Sequence, residues 1–517
     1  MKKQILKLTG ALLVLCLAAT GCGSTPQSGQ PEEMTFDDEG EPFAEGEDER
    51  DFSALRTPGS QEAAYAYRSF FLPAVCGISQ PYVGDVMPYY EDGVYYLYYL
   101  KDGGDSYNHS VFLTKTTDFV TYEEAEGPVL EADRSGGQDA WIGTGSVVKA
   151  GGKYLFFYTG HGSHTDCEYA EKIRVAAGSS LTSFEKVEGF EITPPGELNQ
   201  KNDFRDPQAY YDPEEDRIIL TVTASKDNVA RVLKYSVSPD LETVTYEGIL
   251  YDDPTGEFWN LECTDTFRMG ERYYLTYSAQ DDTLWYAVSD TPEGPYLNAR
   301  RMDGPLFYAA KHVEGPEGPY MVGWARRSES PSSTSEVSAW GGNLVAMKLC
   351  AKDDGDLYLA PVPGLREQFA KRRKPLLAQD DVTVSAGSRY AYTEYFTCRE
   401  AYMLTGKFSY TGSGSFGLAF DYNGDPAKYK LISIDPAGQS LDLLFNEGTT
   451  PIASAQAALR EGEMYSFTYI QEGSVGTFFI DGETSLTVRI YGVTGKSIRL
   501  FAGNNTVLFT DLREYTR

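Results

Sequence analysis

The feature that most constrains the fold is the rhythm of the chain from residue 80 onward. Short runs alternate aromatic with aliphatic or β-branched residues, and Gly, Asp or Pro closes each run. An apolar residue at every second position gives a strand one buried face, a period that a helix cannot use. Residues 94–100, 146–148, 154–158, 217–223, 231–236, 273–278, 284–288, 320–324 and 344–349 have this form, and no long amphipathic helical pattern interrupts them. Tyr (38) and Phe (26) supply much of the apolar surface, in keeping with the strand preference of aromatic residues. Groups of runs return roughly every 50–70 residues without a fixed repeat motif, which suits a propeller of divergent blades better than one sandwich of this size. Eight more short runs between residues 402 and 501 read as a β-sandwich. The fold class is therefore all-β, in two domains.

The N-terminus stands apart. Lys2, Lys3 and Lys7 precede an apolar run at 11–19 that is too short to span a membrane comfortably, and Ala19-Thr20-Gly21-Cys22 follows. This resembles a bacterial lipoprotein signal, with Ala19 where Leu is commoner. The resemblance implies lipidation of Cys22 and a lipid-anchored protein on the extracytoplasmic face of the cell membrane. Residues 31–51 hold eleven acidic residues against one arginine, too polar to offset the entropy of ordering, so 23–60 is expected to be a disordered tether. The basic stretch 364–377 reads as an inter-domain linker with room for a turn or two of helix stopped by Pro375. A net charge of -31 and a pI near 4.5 argue against nucleic-acid partners. The expected organisation is a signal at 1–22, a tether at 23–60, a catalytic propeller at 61–364, a linker at 365–377 and a sandwich at 378–517.

Outside the signal the cysteines are Cys76, Cys167, Cys263, Cys350 and Cys398, widely spaced and odd in number, which is no zinc or disulfide framework. Four scattered histidines give no metal set, and no cofactor is expected. Three carboxylates stand out instead. Asp85 sits in Gly84-Asp85-Val86-Met87-Pro88, ahead of a hairpin signal at Glu91-Asp92-Gly93. A turn or capping aspartate would read the same way. Asp206 follows Arg205 and precedes Pro207, so a neighbouring cation is expected to keep it ionised. Glu262 lies among Trp259, Leu261 and Phe267, an apolar setting expected to raise its pKa as a general acid requires. One ionised and one protonated carboxylate are what glycoside cleavage needs. Arg205, Trp141, Trp259 and Trp324 are the candidate substrate-binding residues, with Tyr82 and Trp340 as further aromatics suited to stacking on sugar faces.

From these residues the chain resembles the β-fructosidases of glycoside hydrolase family 32, a group of invertases, levanases and inulinases. The resemblance rests on Gly84-Asp85-Val86-Met87-Pro88, Arg205-Asp206-Pro207 and Glu262-Cys263, in the family's order at intervals of 121 and 56 residues. Trp141-Ile142-Gly143-Thr144-Gly145-Ser146, Val322-Gly323-Trp324, Trp340-Gly341-Gly342, residues 357–362 and the run at 478–491 add to it. It implies a five-bladed β-propeller followed by a β-sandwich, and retaining cleavage of fructosidic bonds in sucrose, inulin or levan. Asp85 would be the nucleophile, Asp206 the transition-state stabiliser and Glu262 the acid/base. Gly84 stands where the family usually has Asn and Val86 where it has Pro, and the usual Gln of the next strand has no counterpart near Tyr98-Tyr99-Leu100. Alternative readings are a fructosyltransferase, an inverting propeller enzyme acting on arabinan or xylan, and a surface glycan-binding lipoprotein without turnover. Linkage preference and exo or endo action leave no signature in the sequence.

Overall fold

The computed structural model describes residues 69–74, 81–102, 109–133, 135–162, 167–198, 203–253, 255–327, 339–374, 381–420, 430–445, 450–490, 493 and 495–517. The expected signal with Cys22, and the acidic tether, lie outside these residues.

Twenty antiparallel strands form five groups of four, the blades of a propeller. Blade I runs from Tyr82–Glu91 to Tyr122–Glu124, blade II from Trp141–Ala150 to Ser183–Lys186, and blade III from Arg205–Asp212 to Val244–Asp252. Blade IV runs from Leu261–Met269 to Leu297–Met302, and blade V from Phe307–Gly315 to Leu357–Ala360. The first strand of each blade is innermost. These five neighbour one another in cyclic order, and the fifth returns to the first. A pairing of Val83 with Gly342 joins blades I and V into one eight-stranded sheet and closes the ring. Apolar side chains fill the wedges between blades: Met87, Tyr98 and Leu113 of blade I pack with Val147, Phe156 and Tyr158 of blade II. Leu261 and Tyr277 of blade IV meet Val232 and Tyr251 of blade III in the same way.

Each inner strand breaks register with its neighbour near its start: between Gly84 and Met87, Gly143 and Gly145, Arg205 and Gln208, Glu262 and Asp265, and Tyr308 and Lys311. These are β-bulges, which bend a strand and re-aim side chains. Four carry a non-glycine residue at positive φ: Asp85 (40°), Asp206 (58°), Cys263 (52°) and Ala309 (51°).

Beyond blade V a short helix, Pro363–Gln368, leads to Lys371–Arg373, which pairs with the last strand of the chain. Part of the expected linker thus belongs to a sheet. The second module is an eleven-stranded arrangement whose long final strand, Ser497–Thr516, pairs with Val382–Thr397, Ala401–Gly412 and Phe416–Phe420. Phe408, Phe416, Tyr469, Phe478 and Leu500 fill its interior, as expected of a sandwich. The two modules share apolar packing, since Val83, Trp324 and Leu344 lie in one cluster with Met403, Ile470 and Phe479.

Candidate active site

The bulges of blades I, III and IV bring Asp85, Asp206 and Glu262 to one end of the ring, where each carboxylate feels the others electrostatically. Thr144 Oγ1, on the blade II bulge, donates to Asp85 Oδ2 at 2.6 Å. Trp324 Nε1, on the second strand of blade V, donates to Asp85 Oδ1 at 3.3 Å. Both oxygens are thereby oriented. Burial raises the pKa of Asp85, the Thr144 and Trp324 donors oppose this, and repulsion from Glu262 adds to it.

Asp206 is more enclosed, at 4% exposed. Its backbone N–H donates to Thr159 Oγ1 at 2.9 Å, and its Oδ2 accepts from Cys263 N at 2.8 Å. Burial lifts its carboxyl to about 7 against the pull of Arg205, with Glu262 and Asp85 adding repulsion. The expectation that the adjacent arginine keeps Asp206 ionised is not met. The guanidinium points elsewhere and desolvation wins. Arg205 donates to Glu262 Oε1 at 2.8 Å, to Glu171 Oε1 at 3.2 Å and to Asp203 Oδ1 at 3.2 Å. These acidic partners hold it firmly protonated although burial opposes the charge.

Glu262 does not stand in the apolar setting expected for it. Its second oxygen accepts from the Tyr308 hydroxyl on blade V, the first is ion-paired to Arg205, and its side chain is 28% exposed. The burial that sequence reasoning gave to Glu262 falls on Asp206, while Asp85 is half-buried. Of the candidate aromatics, Trp141 (53% exposed) and Trp259 (38%) are open at the surface. Trp259 lies with its ring 5.6 Å from the Arg205 guanidinium. Trp324 is 1% exposed, so it acts as a donor to Asp85 and not as an open platform.

Thr144, Glu171, Tyr308 and Asp203 were missed from the sequence. Thr144 lies inside a quoted motif, but its partner is 59 residues away in the chain. Nothing local marks Tyr308 or Glu171. Among the described residues no group of three or more His, Cys, Asp or Glu side chains is placed to hold a metal ion. Carboxylates with orienting donors, beside an arginine and open aromatics, can attack and protonate across a sugar acetal.

The chain is 27% identical over 251 residues to the sucrose-6-phosphate hydrolase of Escherichia coli, a match covering 44% of this chain and 51% of that protein. It is 24% identical over 393 residues to the raffinose invertase of the same organism, covering 71% and 78%. The structure of sucrose-6-phosphate hydrolase from Lactobacillus gasseri superposes with a TM-score of 0.67 at 19% identity, over 90% of this chain and 96% of that one. The fold is the five-bladed propeller with a β-sandwich that the resemblance implied. Residues 86–361, more than half of the chain, match the N-terminal domain of glycosyl hydrolases family 32, and the chain belongs to that family.

Proposed function

We propose that the protein is a retaining glycosidase that cleaves β-fructosidic bonds of the sucrose, inulin or levan type through a covalent fructosyl-enzyme. The observation that carries this reading is the convergence of Asp85, Asp206 and Glu262 from three bulged inner strands at one end of the ring. Asp85 is the nucleophile, because Thr144 and Trp324 present its two oxygens in a fixed direction. Asp206 accepts from sugar hydroxyls and stabilises the charge that develops on the ring. Glu262 protonates the departing oxygen and later activates water, with Tyr308 and Arg205 steering its carboxyl. No metal or cofactor takes part in this scheme.

Incubation with sucrose, inulin and levan, followed by chromatography of the products and NMR of the first-formed anomer, tests the reading. Release of β-fructose supports it, and an inverted product removes the covalent intermediate. Asp85→Ala should abolish turnover, by about 10⁴-fold or more. The Cys22 motif supports lipid anchoring at the outer face of a membrane. Cys22→Ala should move the protein from the membrane to the soluble fraction or trap its precursor, and unchanged fractionation would refute anchoring.

A further inference from the structure

Position 84 is glycine because Trp340 stands where a side chain would be. A Cβ at Gly84 would fall against the six-membered ring of the Trp340 indole. Trp340, on the third strand of blade V (Ala339–Ala351), belongs to a row of aromatic rings. It meets Trp324 edge-on at 5.8 Å and 61°, and stacks on His109 at 4.9 Å and 22°. His109 lies 6.2 Å from Trp141. Exposure rises along the row: Trp324 is 1% exposed, Trp340 and His109 are partly buried, and Trp141 is 53% exposed. One end is thus hydrogen-bonded to Asp85 and the other is in solvent.

A fructosyl group attacked by Asp85 occupies the buried end, and whatever it is bonded to must extend toward solvent. Trp340 and His109 lie between those two ends. A residue that merely filled the gap above Gly84 would be enclosed, whereas Trp340 keeps part of its surface open. Aromatic faces and edges complement the C–H face of a sugar ring and give no hydrogen bond, so such a wall selects by shape and apolar contact.

We propose that Trp340, seated on Gly84 and backed by His109, is a specificity-determining residue for the sugar on the leaving-group side of the scissile bond. This rests on the fructoside reading above. The space a side chain at position 84 would take is filled by an indole delivered from blade V, an apolar surface.

Two measurements test this. The first is thermal: Gly84→Asn lowers the unfolding midpoint by several degrees in the wild-type background but costs little more in Trp340→Ala, where the space is free. Additive losses would show that Trp340 does not exclude a side chain there. The second compares sucrose and 1-kestose with methyl β-fructofuranoside, which lacks a second sugar. Trp340→Ala should cut kcat/KM on the first two about tenfold, mainly through KM, and on the methyl fructoside less than about threefold. Trp340→Phe should recover most of the difference. Equal losses on all three would make Trp340 a support for Asp85 and overturn the assignment. A wild-type protein that cleaves none of them would remove the fructoside reading and this assignment with it.

Discussion

At the scale of single residues, the proposed chemistry turns on how Asp85 and Asp206 are held. The Thr144 hydroxyl stabilises the ionised form of Asp85, whose pKa burial raises. Removing that donor must raise it further. Thr144→Val should therefore move the acid limb of the kcat/KM profile upward by about one pH unit, as expected for loss of a hydrogen bond to a charged group. An unmoved limb would show that Asp85 does not govern it. Asp206 makes a different prediction. Its folded-state pKa is about 7 against 3.8 for an unperturbed aspartate. Between those values the unfolded chain has released its proton and the folded chain has not, so stability falls as pH rises through the window. Asp206→Asn removes this penalty while its amide oxygen can still accept from Cys263 N. The variant should gain on the order of 2–4 kcal/mol at pH 8, little or nothing at pH 4, and lose turnover throughout. Denaturant unfolding at the two pH values measures it. Short motifs singled out the three carboxylates that the fold brings together, but not their environments. Glu262 takes its partners from Arg205, 57 residues back, and Tyr308, 46 residues on. No local composition carries such distances.

At the scale of elements, the bulge is the device that repeats. Outer strands such as Val229–Val237 and Leu284–Ser289 coincide with the apolar runs at 231–236 and 284–288 and were readable. Of the inner strands only 146–148, within Trp141–Ala150, was readable, because a bulge needs residues that also mark turns. Gly84, Asp85 and Pro88 look like the approach to a hairpin, yet all lie within one strand, Tyr82–Glu91. Asp206 and Cys263 likewise sit at positive φ inside strands, a conformation costing on the order of 1–3 kcal/mol that the surrounding ring must over-determine. The blade II bulge shows how. Gly145 N donates to the Met87 sulfur at 3.0 Å, and its carbonyl accepts from the buried Lys311 Nζ of blade V at 2.9 Å. A Cβ at Gly145 would collide with the Phe157 carbonyl oxygen, which is backbone and cannot swing away. Gly145→Ala should thus push the bulge off its neighbour and displace Thr144. We expect a stability loss of about 1–3 kcal/mol and a fall in kcat larger than any change in KM. Wild-type kinetics in this variant would mean that the bulge geometry is not needed to present Thr144.

At the scale of the whole molecule, the two modules are tied together close to the site. Apolar alternation announced both modules, but the polar part of their seam was hidden, since no local pattern marks it. Arg489, in the sandwich strand Thr484–Arg489, is 2% exposed and reaches into the propeller. It donates to the carbonyls of Arg326 at 2.8 Å and Ala325 at 3.0 Å, to Asn343 Oδ1 at 2.7 Å and, within its own module, to Ser474 Oγ at 3.0 Å. Asp303, at the end of blade IV, accepts in return from Thr487 N at 2.8 Å and from the Ser485 hydroxyl. Ala325 directly follows Trp324, the donor to Asp85, and Asn343 lies three residues after Trp340. Arg489 therefore fixes the two strands that carry the aromatic side of the pocket. Arg489→Met keeps the stem and removes every donor, leaving buried acceptors unpaired. The expected cost is about 3–5 kcal/mol of stability. Activity should fall as well at temperatures far below unfolding, since Trp324 loses its support. Thermal unfolding followed by kcat/KM at 20 °C separates the two effects. A variant that melts earlier but keeps full specific activity would confine the sandwich to a role in stability and detach it from the pocket.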